Sequence, residues 1–170
     1  LELAGQAASE SYQNQAAIDL LTRALALAGN PSQRLDLLLA REAVFERLGQ
    51  RDNQRGDLDE SAQLADNLAD PGRQAVAALR LANLLRVVGK LQESLATLDA
   101  ATGFARQARD LPAEARVWLL RGMIAFQKGD YDVANQQLTT SYTLATDSEV
   151  RTTAAEAHYN LGNCALVNED

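Results

Sequence analysis

The stretch GMIAFQKGDYDVANQQL, residues 122–138, decides the fold. It contains two segments whose apolar residues recur at helical spacing, and the short run Gly129-Asp130-Tyr131 separates them. Glycine beside an acidic residue favours a turn, because glycine has no side chain to restrict its backbone. The stretch therefore predicts a helical hairpin, in which a tight turn joins two antiparallel helices.

The hairpin recurs along the chain, and its small residues give the register. Two helices pack closely where a small side chain lies at their crossing point, and Gly122 has this position in the quoted stretch. Its counterparts are Gly5, Arg41, Ala82 and Gly162, at successive separations of 36, 41, 40 and 40 residues. Arg41 is the exception among otherwise small residues. A repeat of this length through most of the chain indicates an array of stacked helix pairs.

The second helix of each pair carries its own repeated pattern, a leucine between smaller residues. It occurs in Ala17-Leu21-Ala24, Ser94-Leu98-Ala101 and Ala134-Leu138-Ser141, and fits less well in Gln54-Leu58-Ser61. Three prolines, Pro31, Pro71 and Pro112, mark the boundaries, because proline breaks a helix interior. The sequence predicts a single array over residues 1–170, with units at 1–30, 31–70, 71–111, 112–148 and 149–170.

The composition favours helices and excludes several classes of partner. Alanine and leucine, which have high helix propensity, supply most of the apolar residues, while aromatic residues make up 5%. The net charge of −7 predicts no nucleic-acid partner, since an acidic surface repels phosphates. The sequence has no apolar run of about 18 residues, so we expect no membrane span. The single cysteine, Cys164, suits a reducing compartment, which predicts a cytoplasmic protein.

The two ends of the sequence lead to a further expectation. The chain begins with Leu1 rather than methionine, and it ends at Asp170, directly after the first helix of the last predicted pair. We therefore expect a fragment of a longer protein. Because an array normally needs polar helices at its ends, the last helix should expose apolar surface and allow self-association.

These hairpins resemble the tetratricopeptide repeat. The segments that carry the resemblance are QAAIDLLTRALAL (15–27), WLLRGMIAFQKGDYDVA (118–134) and YNLGNCALVNED (159–170). The family's usual period is about 34 residues, so these units are longer, similar to arrays in bacterial signal-transduction ATPases and regulators. The resemblance implies an all-α, right-handed superhelical α-solenoid of about four and a half antiparallel helix pairs. It also implies that the first helices line a concave surface that binds a protein or peptide.

When the units are aligned on Gly122 and its counterparts, equivalent positions on the first helices give ten candidate peptide-binding residues. They are Leu38, Phe45, Leu79, Asn83, Arg86, Leu119, Met123, Phe126, Tyr159 and Asn163. The apolar members form either a groove for an amphipathic helix or extended peptide, or a core that the long second helices cover. The polar members would fix the direction of a bound peptide. The favoured function is a protein- or peptide-binding scaffold within a larger cytoplasmic regulatory protein; the alternatives are a small-ligand-sensing superhelix coupled to an effector domain and a rigid spacer.

The sequence contains no convincing catalytic motif, so we expect neither an enzyme nor a cofactor. The only histidine, His158, precedes Cys164 by six residues, which aligns the two poorly on a helix. We expect a half-buried packing histidine and a buried cysteine, and a core position for Trp118. The acidic run around Asp57 lacks the spacing of a calcium loop. Gly103, inside a predicted helix of about 18 residues, should mark tight packing or a bend.

Overall fold

The computed structural model describes the backbone of residues 2–168 and the side chains of residues 13–167. These residues form eight α-helices and no strand, which confirms the predicted all-α fold. The helices are α1 (Glu2–Leu27), α2 (Pro31–Leu48), α3 (Arg51–Leu68), α4 (Pro71–Val87), α5 (Leu91–Ala108), α6 (Leu111–Lys128), α7 (Tyr131–Asp147) and α8 (Arg151–Asn168).

The start of the chain differs from the prediction. We expected a first helix containing Gly5 and a separate second helix from residue 15, but α1 is a single helix of 26 residues. The physical reason is that residues 6–27 contain neither proline nor glycine, so nothing in the local sequence ends the helix. The surroundings of Gly5 lie outside the residues whose side chains are described.

From residue 31 onward the helices follow a regular spacing. Helices α2, α4, α6 and α8 begin at residues 31, 71, 111 and 151, and α3, α5 and α7 begin at residues 51, 91 and 131. Side-chain caps define three of these starts, because each carboxylate or amide oxygen accepts a hydrogen bond from an unpaired backbone N–H of the first turn. The donors are the backbone N–H groups of Gln33, Arg73 and Ala113, at 2.8, 3.1 and 2.9 Å from Asn30, Asp70 and Asp110. The three prolines occupy the first two positions of these helices, where no N–H is needed.

Tight turns join each first helix to its second helix. In the quoted stretch, α6 ends at Lys128 and α7 begins at Tyr131. Gly129 has a φ of 82°, a left-handed conformation that glycine adopts without strain. Its N–H bonds to the carbonyl of Phe126, and the N–H of Asp130 bonds to that of Ala125, both at 3.0 Å. The predicted hairpin of residues 122–138 is therefore present.

The chain divides into two compact units, Leu1–Ala69 and Asp70–Asp170. In the first unit, α1 packs on α2 and α2 packs on α3. Arg41, the exception in the small-residue pattern, forms a two-pronged ion pair with Asp57, with N–O distances of 2.9 and 2.6 Å. Beside it, the amide of buried Gln54 donates to buried Glu42 at 2.6 Å. Polar pairing thus replaces close apolar packing at this crossing.

In the second unit, each helix from α4 to α8 packs on the next, and α4, α6 and α8 also pack on one another in order. Here the small residues act as predicted at two crossings. Ala82 is buried with Leu98, and a Cβ built on Gly122 would lie 2.6 Å from Cγ of Leu138. The hydroxyl of Ser94 donates to the carbonyl of Ala82 at 2.7 Å, which ties the second helix to the first.

Two glycines do not have the surroundings that we expected. Gly162, the counterpart of Gly122, is exposed, and a Cβ there would meet nothing within 4 Å. Gly103 lies in α5, which has the expected 18 residues, but it is also exposed with nothing within 4 Å of a Cβ. The expectation of tight packing at Gly103 is therefore wrong, because its position faces away from the neighbouring helices.

Over the described part of the chain, no helix combines the length and the apolar character that crossing a membrane would require.

Candidate binding surface

Four of the ten candidate residues are buried. They are Leu38, Phe45, Leu79 and Leu119, and Leu119 keeps only 1% of its surface exposed. Leu79 packs in a cluster with Leu98 of α5, and Leu119 in a cluster with Leu138 of α7. The interpretation in which the second helices cover the apolar stripe therefore describes Leu79 and Leu119, and Leu38 and Phe45 are buried as well. Their side chains are core and offer no surface to a peptide.

Three candidates form a row across the second unit. Asn83, Met123 and Asn163 stand 40 residues apart at the same position of α4, α6 and α8, and all three are half-buried. Because these three helices pack side by side, equivalent positions on them lie next to each other.

A second row lies one helical turn further along the same helices. Arg86 and Phe126 are half-buried, and Leu166 at the equivalent position of α8 is 68% exposed. We call the two rows together the α4–α6–α8 surface; it consists of Asn83, Arg86, Met123, Phe126, Asn163 and Leu166. It keeps five of the ten predicted residues and adds Leu166, which stands 40 residues after Phe126.

The centre of this surface is apolar, its α4 end is polar, and its α8 end combines Asn163 with the exposed apolar side chain of Leu166. Met123 packs against both hydrophobic clusters of the second unit, so it bridges the α4 and α8 sides of α6. The ring of Phe126 meets that of Tyr131 edge to face, with centroids 5.4 Å apart. On α4, a guanidinium nitrogen of Arg86 donates to the side-chain oxygen of Asn83 at 2.9 Å, which orients the amide. An apolar centre between amide groups can hold an apolar side chain and hydrogen-bond the peptide backbone around it.

Tyr159, the tenth candidate, lies away from these rows. It is 70% exposed, whereas its counterpart on α6, Leu119, is buried. The difference arises because α7 and α8 cover that side of α6, and no described helix covers the equivalent side of α8.

The two shifted pKa values belong to structural groups. The hydrogen bond with Asp57 raises the pKa of the Arg41 guanidinium, and the nearby charges of Asp57 and Glu60 add to this against the opposing effect of burial. Burial alone raises the pKa of the Cys164 thiol. Neither group lies on the α4–α6–α8 surface, so neither supplies it with unusual acid–base chemistry.

The residues considered for catalysis do not converge. Cys164 is buried as expected, but His158 is exposed rather than half-buried, and its ring lies 5.8 Å from that of Tyr142. Trp118 is half-buried, with the guanidinium of Arg121 6.0 Å from the ring centroid. Within the described residues, no three His, Cys, Asp or Glu side chains cluster in a way that would hold a metal ion.

A recess of 370 Å³ lies where α7 is joined to α8. Its walls are formed by Ala145, Thr146, Glu149, Arg151 and Ala154. None of these residues belongs to the ten candidates or to the α4–α6–α8 surface.

Comparison of the sequence with protein-family models and with curated proteins finds no match.

Proposed function

We propose that the chain is a tetratricopeptide-like scaffold that binds a protein or peptide through the α4–α6–α8 surface, within a cytoplasmic regulatory protein. The observation that supports this most is the arrangement of half-exposed Met123 and Phe126 between Asn83 on one side and Asn163 on the other. Three helices contribute to this surface, so a bound peptide would cross them and contact each in turn.

The chemistry of these side chains defines the partner. Methionine adapts its shape to different apolar side chains, and phenylalanine provides a rigid apolar face. Complete burial of one such side chain contributes roughly 1.5–3 kcal/mol. A peptide with two apolar anchors would therefore bind mainly through this centre. The amides of Asn83 and Asn163 would then fix its direction by pairing with its backbone.

The test starts from selected peptides, because the natural partner is unidentified. A display library of random 16-residue peptides is panned against the immobilised chain, and the peptide that binds best is titrated by calorimetry. Met123→Asp should weaken its Kd at least tenfold, which corresponds to about 1.4 kcal/mol. Asn83→Ala and Asn163→Ala, which disturb the fold less, should each weaken it severalfold.

The control variant is Val133→Asp. Val133 is an exposed apolar residue on α7, outside the α4–α6–α8 surface, so the same change of chemistry should leave the Kd unaltered. If Val133→Asp changes the Kd of the selected peptide and the three surface variants do not, the peptide binds elsewhere and the assignment of the surface is refuted. A metabolite screen by thermal shift addresses the sensor alternative, since a ligand of the folded state raises its melting temperature.

A further inference from the structure

Met123 lies between two amide side chains at equivalent positions of neighbouring helices. Its counterparts 40 residues before and after are Asn83 on α4 and Asn163 on α8. All three side chains are half-buried, on helices that pack side by side. A polar side chain at this position is therefore compatible with the packing of these helices.

Met123 is also the only sulfur-containing side chain that is partly exposed. The sequence contains one methionine and one cysteine. Cys164 is fully buried in the cluster that contains Leu119, and burial raises the pKa of its thiol, which favours the less reactive protonated form. An oxidant dissolved in water therefore reaches the thioether of Met123 more readily than the thiol of Cys164.

The thioether of methionine reacts directly with peroxides. The sulfur attacks one oxygen of hydrogen peroxide, the O–O bond breaks, and the products are the sulfoxide and one molecule of water. The sulfur is oxidised by two electrons and the peroxide is reduced by the same two. The side chain becomes polar, and methionine sulfoxide reductases restore the thioether.

Oxidation at this position would change the centre of the α4–α6–α8 surface. The apolar centre consists of Met123 and Phe126, and Met123 packs against both hydrophobic clusters of the second unit. A sulfoxide would leave Phe126 as the remaining apolar anchor for a peptide. It would also hold water where an apolar side chain of the peptide is expected to bind.

We propose that Met123 is an oxidation site, and that conversion of its thioether to the sulfoxide by a peroxide reversibly switches off peptide binding at the α4–α6–α8 surface. The switch depends on the proposed function, because it acts on the surface assigned there. Since asparagine occupies the equivalent positions of α4 and α8, the polar sulfoxide is accommodated and the chain stays folded.

The first measurement is the site of oxidation. The intact chain is treated with hydrogen peroxide in native buffer and digested with trypsin, which releases residues 122–128 as one peptide with Met123 inside it. Mass spectrometry should find one added oxygen in this peptide and none on Cys164. If Met123 reacts only after the chain is unfolded, the proposal is wrong.

The second measurement is the affinity for the peptide selected against the untreated chain. Loss of one apolar anchor should weaken its Kd about tenfold in calorimetry. Treatment with a methionine sulfoxide reductase should restore the original Kd. The far-UV circular dichroism and the melting temperature of the oxidised chain should stay close to those of the untreated chain.

Two variants separate oxidation of Met123 from other effects of peroxide. Met123→Leu is the matched control, because leucine is apolar and of similar volume but contains no sulfur. It should bind the peptide, and peroxide should leave its Kd unchanged. Met123→Gln makes the position permanently polar, so it should remain folded and bind as weakly as the oxidised chain.

Protection by the peptide reads the contact without measuring an affinity. A bound peptide would cover Met123, so a saturating concentration should slow its oxidation severalfold. A rate that the peptide does not alter would place the peptide elsewhere and overturn the proposal.

The remaining outcomes distinguish the switch from the proposed function. If Met123→Asp weakens binding but complete oxidation does not, the switch is refuted and the peptide surface stands. If peroxide weakens binding by Met123→Leu as well, or if the oxidised chain unfolds, the loss has another cause and the switch is refuted. If binding by the untreated chain ignores Met123→Asp, the proposed function fails and the switch fails with it.

Discussion

Replacing Gly122 by alanine tests the close packing on which the repeat register depends. A Cβ at residue 122 would lie 2.6 and 2.8 Å from Cγ and Cδ2 of Leu138, and 3.2 Å from its backbone nitrogen. Real Cβ atoms do not approach other atoms so closely, so Leu138 or the α7 backbone must move. Overpacking of this kind costs about 1–3 kcal/mol.

Alanine also stabilises a helix relative to glycine, and that effect must be separated from the steric one. The gain in helix propensity is about 0.8–1 kcal/mol. Gly162→Ala gives the propensity effect alone, because the counterpart position on α8 has open surroundings. The difference between the two variants therefore isolates the steric cost, and we expect Gly122→Ala to be the less stable by about 1–3 kcal/mol.

Urea unfolding followed by the fluorescence of Trp118 measures this difference. Trp118 is the only tryptophan and lies on α6, one turn before Gly122, so its signal reports the unfolding of the unit that contains both glycines. With a slope of about 1–3 kcal/mol/M, a difference of about 2 kcal/mol moves the midpoint by roughly 1 M. If Gly122→Ala is as stable as Gly162→Ala, α6 and α7 do not pack as closely as described and the register argument fails.

Three other predictions concern buried side chains. Leu119→Ala should lower the free energy of unfolding by about 2–5 kcal/mol, whereas Leu166→Ala, at an exposed position, should change it by less than about 0.5 kcal/mol; chemical denaturation compares them. Asp57→Ala should cost about 3–5 kcal/mol in calorimetry because it leaves the largely buried Arg41 guanidinium without its charged partner, while Asp59→Ala, which removes a half-exposed pair, should cost at most about 1 kcal/mol. Burial raises the pKa of the Cys164 thiol in the folded state, so its contribution to stability is complete below the unfolded pKa of about 8.5 and declines as the pH rises above it. Between pH 7.5 and 9.5, the free energy of unfolding should fall more for the intact chain than for Cys164→Ala. An equal fall in both would contradict a buried thiol.

The helix boundaries were largely readable from local sequence. Asn30, Asp70 and Asp110 are side chains that cap helices, and each is followed within two residues by a proline, which is compatible only with the first turn. Gly129 ends α6 because its backbone adopts a left-handed conformation without strain. These signals act over a few residues, so an argument from sequence can use them.

The first unit shows where local sequence was insufficient. The register placed an expected hairpin crossing at Gly5, but α1 continues through the expected turn to Leu27. At the next crossing, Arg41 pairs with Asp57, sixteen residues away. The sequence contains both charges, but it does not show that they face each other across two helices. Only the packing of α2 on α3 brings them together.

The amino-acid sequence alone determined that the chain forms helices, that they recur every 40 residues from Pro31, and that Gly122 lies at a close crossing. Tertiary structure decided which of the repeated positions are covered. Leu119 and Tyr159 occupy equivalent positions, as do Gly122 and Gly162, yet the first of each pair is buried and the second exposed. Local sequence sets the direction in which a side chain points, but burial depends on whether another helix packs there, as α7 packs on Leu119 and Gly122.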